Sequence, residues 1–164
     1  APAGSALVGS KELIANANKA NAKELLVREG IIDDPDDIPH VIEKVRSILN
    51  EKSLLEYGIK SKEHHLSTRV HLHVREGALS VLVINNVILH ERELGHIRER
   101  IEKSSKYDSI AEIYIEEPDP YAEGMGLGLS MVVVLLKSIG IDHANFSVTT
   151  DGTGKTFARV TIPL

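Results

Sequence analysis

The sequence predicts a single α/β domain. Three observations carry this. Helix-favouring residues fill Ser5 to Glu29, two apolar-alternating hairpins lie in mid-chain and at the C-terminus, and a glycine box opens an apolar run. The box is Gly124-Met125-Gly126-Leu127-Gly128-Leu129-Ser130, and the run is Met131 to Leu136, ended by Gly140. Glycines leave backbone amides bare at the start of a helix. That place suits a phosphate, though such glycines also serve close packing alone.

A length of 164 residues is enough for one domain with a proper core. Aromatic residues are only 4% and Trp is absent, so the core must be mostly Leu, Ile, Val and Ala. A net charge of −5 argues against a duplex nucleic-acid binder, which needs a basic face. No cysteine is present, which excludes disulfides and thiolate metal sites and fits a reducing, cytoplasmic setting. No apolar stretch is long enough to span a membrane, so no membrane contact is expected of this segment. The small-residue start, Ala1 to Ala6, is compatible with a piece of a longer chain.

The first helix is expected from about Ser5 to Glu29, stopped by Gly30. Within it Glu12, Asn16, Lys19 and Lys23 fall at i, i+4, i+7 and i+11, on one face. Such a face is either simply solvated or a ligand face that offers a carboxylate, an amide oxygen for a hard cation and an ammonium for phosphate. The acidic, proline-containing run Asp33 to Pro39 starts a second helix, about 39–57, on the period of Val41, Val45, Ile48 and Leu49. Gly58 ends it, and Lys60 to His65 reads as a loop.

Val70, Leu72 and Val74 alternate with Arg69, His71, His73 and Arg75, the pattern of a half-buried strand. His71 and His73 share a face, with no third metal ligand in view. Glu76-Gly77 turns the chain into Leu79 to Ile84, a strand expected to be covered on both sides. Glu91 to Lys103 forms a third helix with Leu94, Ile97 and Ile101 on one face. Residues 104–124 read as a lid loop, in which Ile110, Ile113 and Ile115 form a short strand or a turn. After the glycine box and its helix comes a closing hairpin. Its strands are Asn145–Thr150 and Lys155–Ile162, with a turn at Asp151-Gly152-Thr153-Gly154.

Four pieces, in this order, resemble one superfamily. Glu12-Leu13-Ile14-Ala15-Asn16-Ala17-Asn18-Lys19-Ala20 resembles the N-box of the GHKL proteins: gyrase, MutL and histidine kinases. The run from Val83 to Ile101 is similar to the segment that carries the G1 box and the helix after it. Gly124 to Ser130 resembles the G2 box of histidine kinases, and Thr156 to Leu164, ending Ile-Pro-Leu, resembles their last strand. The resemblance implies a two-layer α/β sandwich, with a mixed, mostly antiparallel sheet and helices on one face. It also implies ATP and Mg²⁺ as cofactors. Asn16 would ligand Mg²⁺, Glu12 would be the catalytic general base where the superfamily has one, and Lys19 would reach a phosphate. Gly124, Gly126, Gly128 and Leu129 belong to the phosphate loop, and Asn85 and Thr156 would lie near adenine.

The sequence departs from the pattern at the G1 box, Asp-x-Gly-x-Gly, where it reads Asn85-Asn86-Val87-Ile88-Leu89. An uncharged amide at 85 weakens the bond to the adenine amino group by about 1 kcal/mol. Val87 and Leu89 are expected to turn inward and partly fill the adenine site, with Asn85 bonded to backbone instead. None of the eight histidines has the phosphoacceptor context. The resemblance therefore implies a partner: a phosphoacceptor histidine domain or a response regulator, in a longer parent chain or another protein. Two readings follow, an ATP-binding domain of histidine-kinase type with weakened binding, or a non-catalytic interaction module of the same fold.

Overall fold

The computed structural model describes residues 2–116 and 127–164, the side chains of residues 2, 3, 5, 6 and 7 excepted. The elements are α1 (Pro2–Arg28), α2 (Ile38–Ile48), α3 (Leu54–Glu63), β1 (Thr68–Arg75), β2 (Ala78–Asn85) and α4 (Glu91–Ser104). Then follow α5 (Ile110–Glu116), α6 (Leu127–Ser138), a 3₁₀ turn (His143–Asn145), β3 (Phe146–Thr150) and β4 (Thr156–Pro163). The strands form one sheet in the order β1-β2-β4-β3. Helices pack on one face, which makes a two-layer α/β sandwich. Every strand pair among the described residues is antiparallel, in keeping with the mostly antiparallel sheet that the resemblance implied.

Local chemistry sets the boundaries. Gly30 (φ 69°) and Gly140 (φ 75°) take left-handed backbone after α1 and α6. The next residue in each case bonds back five positions, Ile31 N–H to the Leu26 carbonyl and Ile141 N–H to that of Leu136, both at 2.9 Å. Asp37 caps α2 by accepting from His40 N–H. The expected single helix 39–57 is two helices. The Asn50 side chain accepts from the N–H groups of Lys52 (3.0 Å) and Ser53 (3.2 Å), a local alternative to the helical ladder that breaks the chain there. The expected loop 60–65 is largely the end of α3, which runs through Gly58 and carries Leu55 at 78% exposure. Within the expected lid loop, residues 110–116 form α5, neither strand nor turn. Ser109 Oγ accepts from Glu112 N–H and Glu112 accepts from Asp108 N–H, a reciprocal cap that starts a helix.

The core lies between α1, α4 and α6 and the sheet. Leu13, Val81, Val83, Val132, Val133 and Ile162 are its most enclosed residues. A smaller cluster, Ala22, Leu26, Ile32, Val41 and Val45, joins α2 to the C-terminal half of α1. Register places Val70, Leu72 and Val74 of β1 opposite Val83, Val81 and Leu79, and so on the helix side as the alternation expects. Nevertheless all three are exposed: α1 packs chiefly on β2, and its side-chain bonds to β1 are made at Thr68, the first residue of the strand. The opposite sheet face carries no second layer among the described residues, so Leu82 and Ile84 are only half-buried. No described helix is long and apolar enough to cross a membrane.

Candidate functional site

A cleft of about 990 Å³ opens at the end of the sheet where β2 stops and β4 starts. Its floor is the helix-side face of the strands, with Val83 and Asn85 beside Ala158 and Thr156, their register partners. One wall is α1, through Leu13, Asn16, Ala17, Lys19, Ala20 and Lys23. Facing it are the β2–α4 connection, Val87 to His90, and α4; α2 closes a further side, and Leu129 marks the start of α6.

Asn16, Lys19, Asn85, Leu129 and Thr156, five residues singled out from the sequence, all line this one cleft. Glu12 is not among the lining residues. It sits against the first turn of α6, where a methyl group added to Gly128 would fall 2.5 Å from Glu12 Oε2 and in ordinary contact with the Asn16 amide, 3.5 Å from its nitrogen. The bare backbone of Gly128 thus admits both α1 side chains, and a Cβ there would make the Glu12 carboxylate move aside. Asn16 Nδ2 is buried and has no hydrogen-bond partner among the described residues. A buried, unpaired donor is costly, and a ligand oxygen would relieve it. Gly124 and Gly126 lie outside the described residues.

Asn85 is 4% exposed. Its Nδ2 donates to Asn21 Oδ1 at 3.3 Å, a side-chain partner where backbone was expected. Asn21 Nδ2 donates to Thr68 Oγ1 (3.1 Å), whose hydroxyl donates to Asn18 Oδ1 (3.0 Å). The chain of bonds joins the end of β2 to α1 and to the start of β1. Asn86 makes a parallel tie, accepting from Ser67 N–H at 2.7 Å and donating to the His65 carbonyl. Thr156 donates to the Val87 carbonyl, which fixes the connection at the cleft rim. Val87 and Leu89 are half-buried along the wall, and Leu89 packs on the core, yet an open cleft remains beside them.

The lining is more basic than the chain as a whole. Lys19, Lys23, Arg46, Arg92, Arg100 and Lys103 stand against Glu24, Asp36, Glu93 and Glu99, in a chain of net charge −5. This local excess favours an anionic ligand. The α4 contribution was legible as Arg92, His96 and Arg100 at spacing four, on the face next to the apolar one. Asn21 carried no such signal.

Lys23 and Glu93 pair across the cleft at 3.1 Å and tie α1 to α4. Glu93 also accepts from His90 N–H (3.0 Å), the donor that opens α4. Partial burial pushes the Glu93 carboxyl up, but the His90 N–H and the Lys23 charge outweigh it and hold the group below its ordinary value. A depressed carboxyl contributes stability that is present above its ordinary pKa of 4.5 and is lost as pH falls through the lower folded value. Glu93→Gln is therefore expected to cost about 1 kcal/mol at neutral pH and almost nothing near pH 2. Urea unfolding at both pH values checks this; an equal loss at both would show that the charge is not what matters.

No known protein family matches the chain, and no solved structure matches it. An uncharacterized protein of Treponema pallidum (strain Nichols) is 28% identical over 154 residues, covering 93% of this chain. The chain spans 29% of that relative's length.

Proposed function

We propose that this chain is an ATP-binding domain of histidine-kinase type, with nucleotide affinity weakened by its altered G1 box. The observation that carries the reading is the convergence of Asn16, whose buried amide nitrogen has no partner among the described residues, on Gly128 at a cleft lined by Lys19, Asn85 and Thr156. The residues present fit Mg²⁺ and ATP in kind. Asn16 offers one hard oxygen and one amide donor, Lys19 offers a charge for phosphate, and the glycine leaves room for close approach. Asn85 keeps an amide oxygen not used by Asn21 and can accept from an adenine amino group. Glu12 of α1, whose carboxylate lies against the first turn of α6, would orient a water or a metal-bound group. Bound ATP would supply a γ-phosphoryl group, and the acceptor would be a histidine domain or response regulator elsewhere in a longer chain or in a partner.

A second reading has its own support. Asn85 and Asn86 both hold neighbouring elements together, and Val87 and Leu89 occupy the wall where the superfamily has glycines. These features suit a non-catalytic module that keeps the fold and uses it for interaction. The triple change Asn85→Asp, Val87→Gly, Leu89→Gly separates the two. If the rest of the site is competent, Mg·ATP binding should tighten at least about tenfold, or about 1.4 kcal/mol. Stability should fall by about 2 kcal/mol, since two apolar side chains are lost and a carboxylate faces Asn21 Oδ1. A folded triple variant with no gain in ATP affinity would favour the interaction module.

A further inference from the structure

The outer edge of the sheet has a feature unrelated to the cleft. Arg69-Val70-His71-Leu72-His73-Val74-Arg75 of β1 reads the same in both directions. Val70, Leu72 and Val74 on its helix side are 44%, 69% and 67% exposed. Among the described residues β1 pairs with β2 alone, so every second residue turns its N–H and C=O outward with no described strand to meet them. Natural edges are commonly blunted by proline, bulges or inward-pointing charge. None of these interrupts the apolar side of β1, which pairs residue for residue with β2 from Thr68 to Arg75.

We propose that β1 is a homodimer edge, joined antiparallel to β1 of a second copy across a two-fold axis at Leu72. The palindrome argues for this occupant. About that axis Val70 meets Val74 of the second copy and Leu72 meets Leu72, so the apolar stripe covers itself. Both helix layers then fall on the same side of an eight-stranded sheet built from two four-stranded ones. A slip of one residue would put the helix layers on opposite sides and set valines against histidines. On the open face His71 meets His73, and Arg69 meets Arg75 at the ends. Arg75 is held by Glu76 at 3.2 Å, and water screens the exposed ends, so the like charges limit affinity without deciding register.

The native chain has no cysteine, so single introduced cysteines report the register directly. Leu72→Cys should form a covalent dimer under mild oxidation. Val70→Cys alone and Val74→Cys alone should not, because each would lie about 13 Å from its own copy, beyond disulfide reach. An equimolar mixture of the Val70→Cys and Val74→Cys chains should cross-link again. All three positions are exposed, so folding is not at stake. In sedimentation the unaltered chain should show a concentration-dependent dimer that Leu72→Asp abolishes. A chain that stays monomeric, or equal cross-linking by all three single cysteines, overturns the proposal.

Discussion

Asn21→Ala is expected to destabilise the chain by about 3 kcal/mol, more than most single changes in a helix. Asn21 is 3% exposed and stands at the junction of α1, β1 and β2. Its removal leaves the buried Asn85 amide without its acceptor and Thr68 without its donor, and it opens a small void. Because the bonds form one chain, Asn85→Ala in the Asn21→Ala background should cost much less than Asn85→Ala alone. Guanidinium unfolding of the two single variants and the double variant measures this. Additive losses would show that the bonds act independently, and a loss under about 1 kcal/mol for Asn21→Ala would show that water replaces the side chain.

Asn16→Ala is expected to behave in the opposite way. It should abolish Mg²⁺-dependent nucleotide binding and leave the ligand-free chain as stable as before, or up to about 1 kcal/mol more stable. The reason is the buried Nδ2, whose desolvation no hydrogen bond from the described residues compensates. Alanine removes that cost and is the better helix former. A residue that costs stability where it stands and makes good the cost only with a ligand fits a binding role. A marked drop in the melting temperature of ligand-free Asn16→Ala would make the residue structural and remove it from the site.

Much of the fold was legible because the signals were local and periodic. The glycines after α1 and α6, the 3.6-residue period of α4 and the alternation in both hairpins all act within a few residues. The convergence of Glu12 and Asn16 with Gly128 was accessible only through the resemblance, since spacing on one helix does not say which loop it meets. The break at Asn50 escaped because one side chain outcompeted a continuous apolar period. The cap Ser109-x-x-Glu112 was present in the sequence but lay among isoleucines that alternate like a strand. The exposure of β1 and the burial of Asn21 could not be read locally. Both depend on where α1 crosses the sheet, chiefly over β2, which leaves Val70, Leu72 and Val74 exposed and sets one asparagine against Thr68 and Asn85.

The nucleotide reading is tested most directly by calorimetric titration of Mg·ATP into the unaltered chain and into Asn16→Ala. Expected is weak binding by the unaltered chain, in the millimolar range or somewhat tighter, that disappears without Mg²⁺ and disappears in Asn16→Ala. Heat that is the same for both chains, or none from the unaltered chain at ATP concentrations well above millimolar, would contradict it.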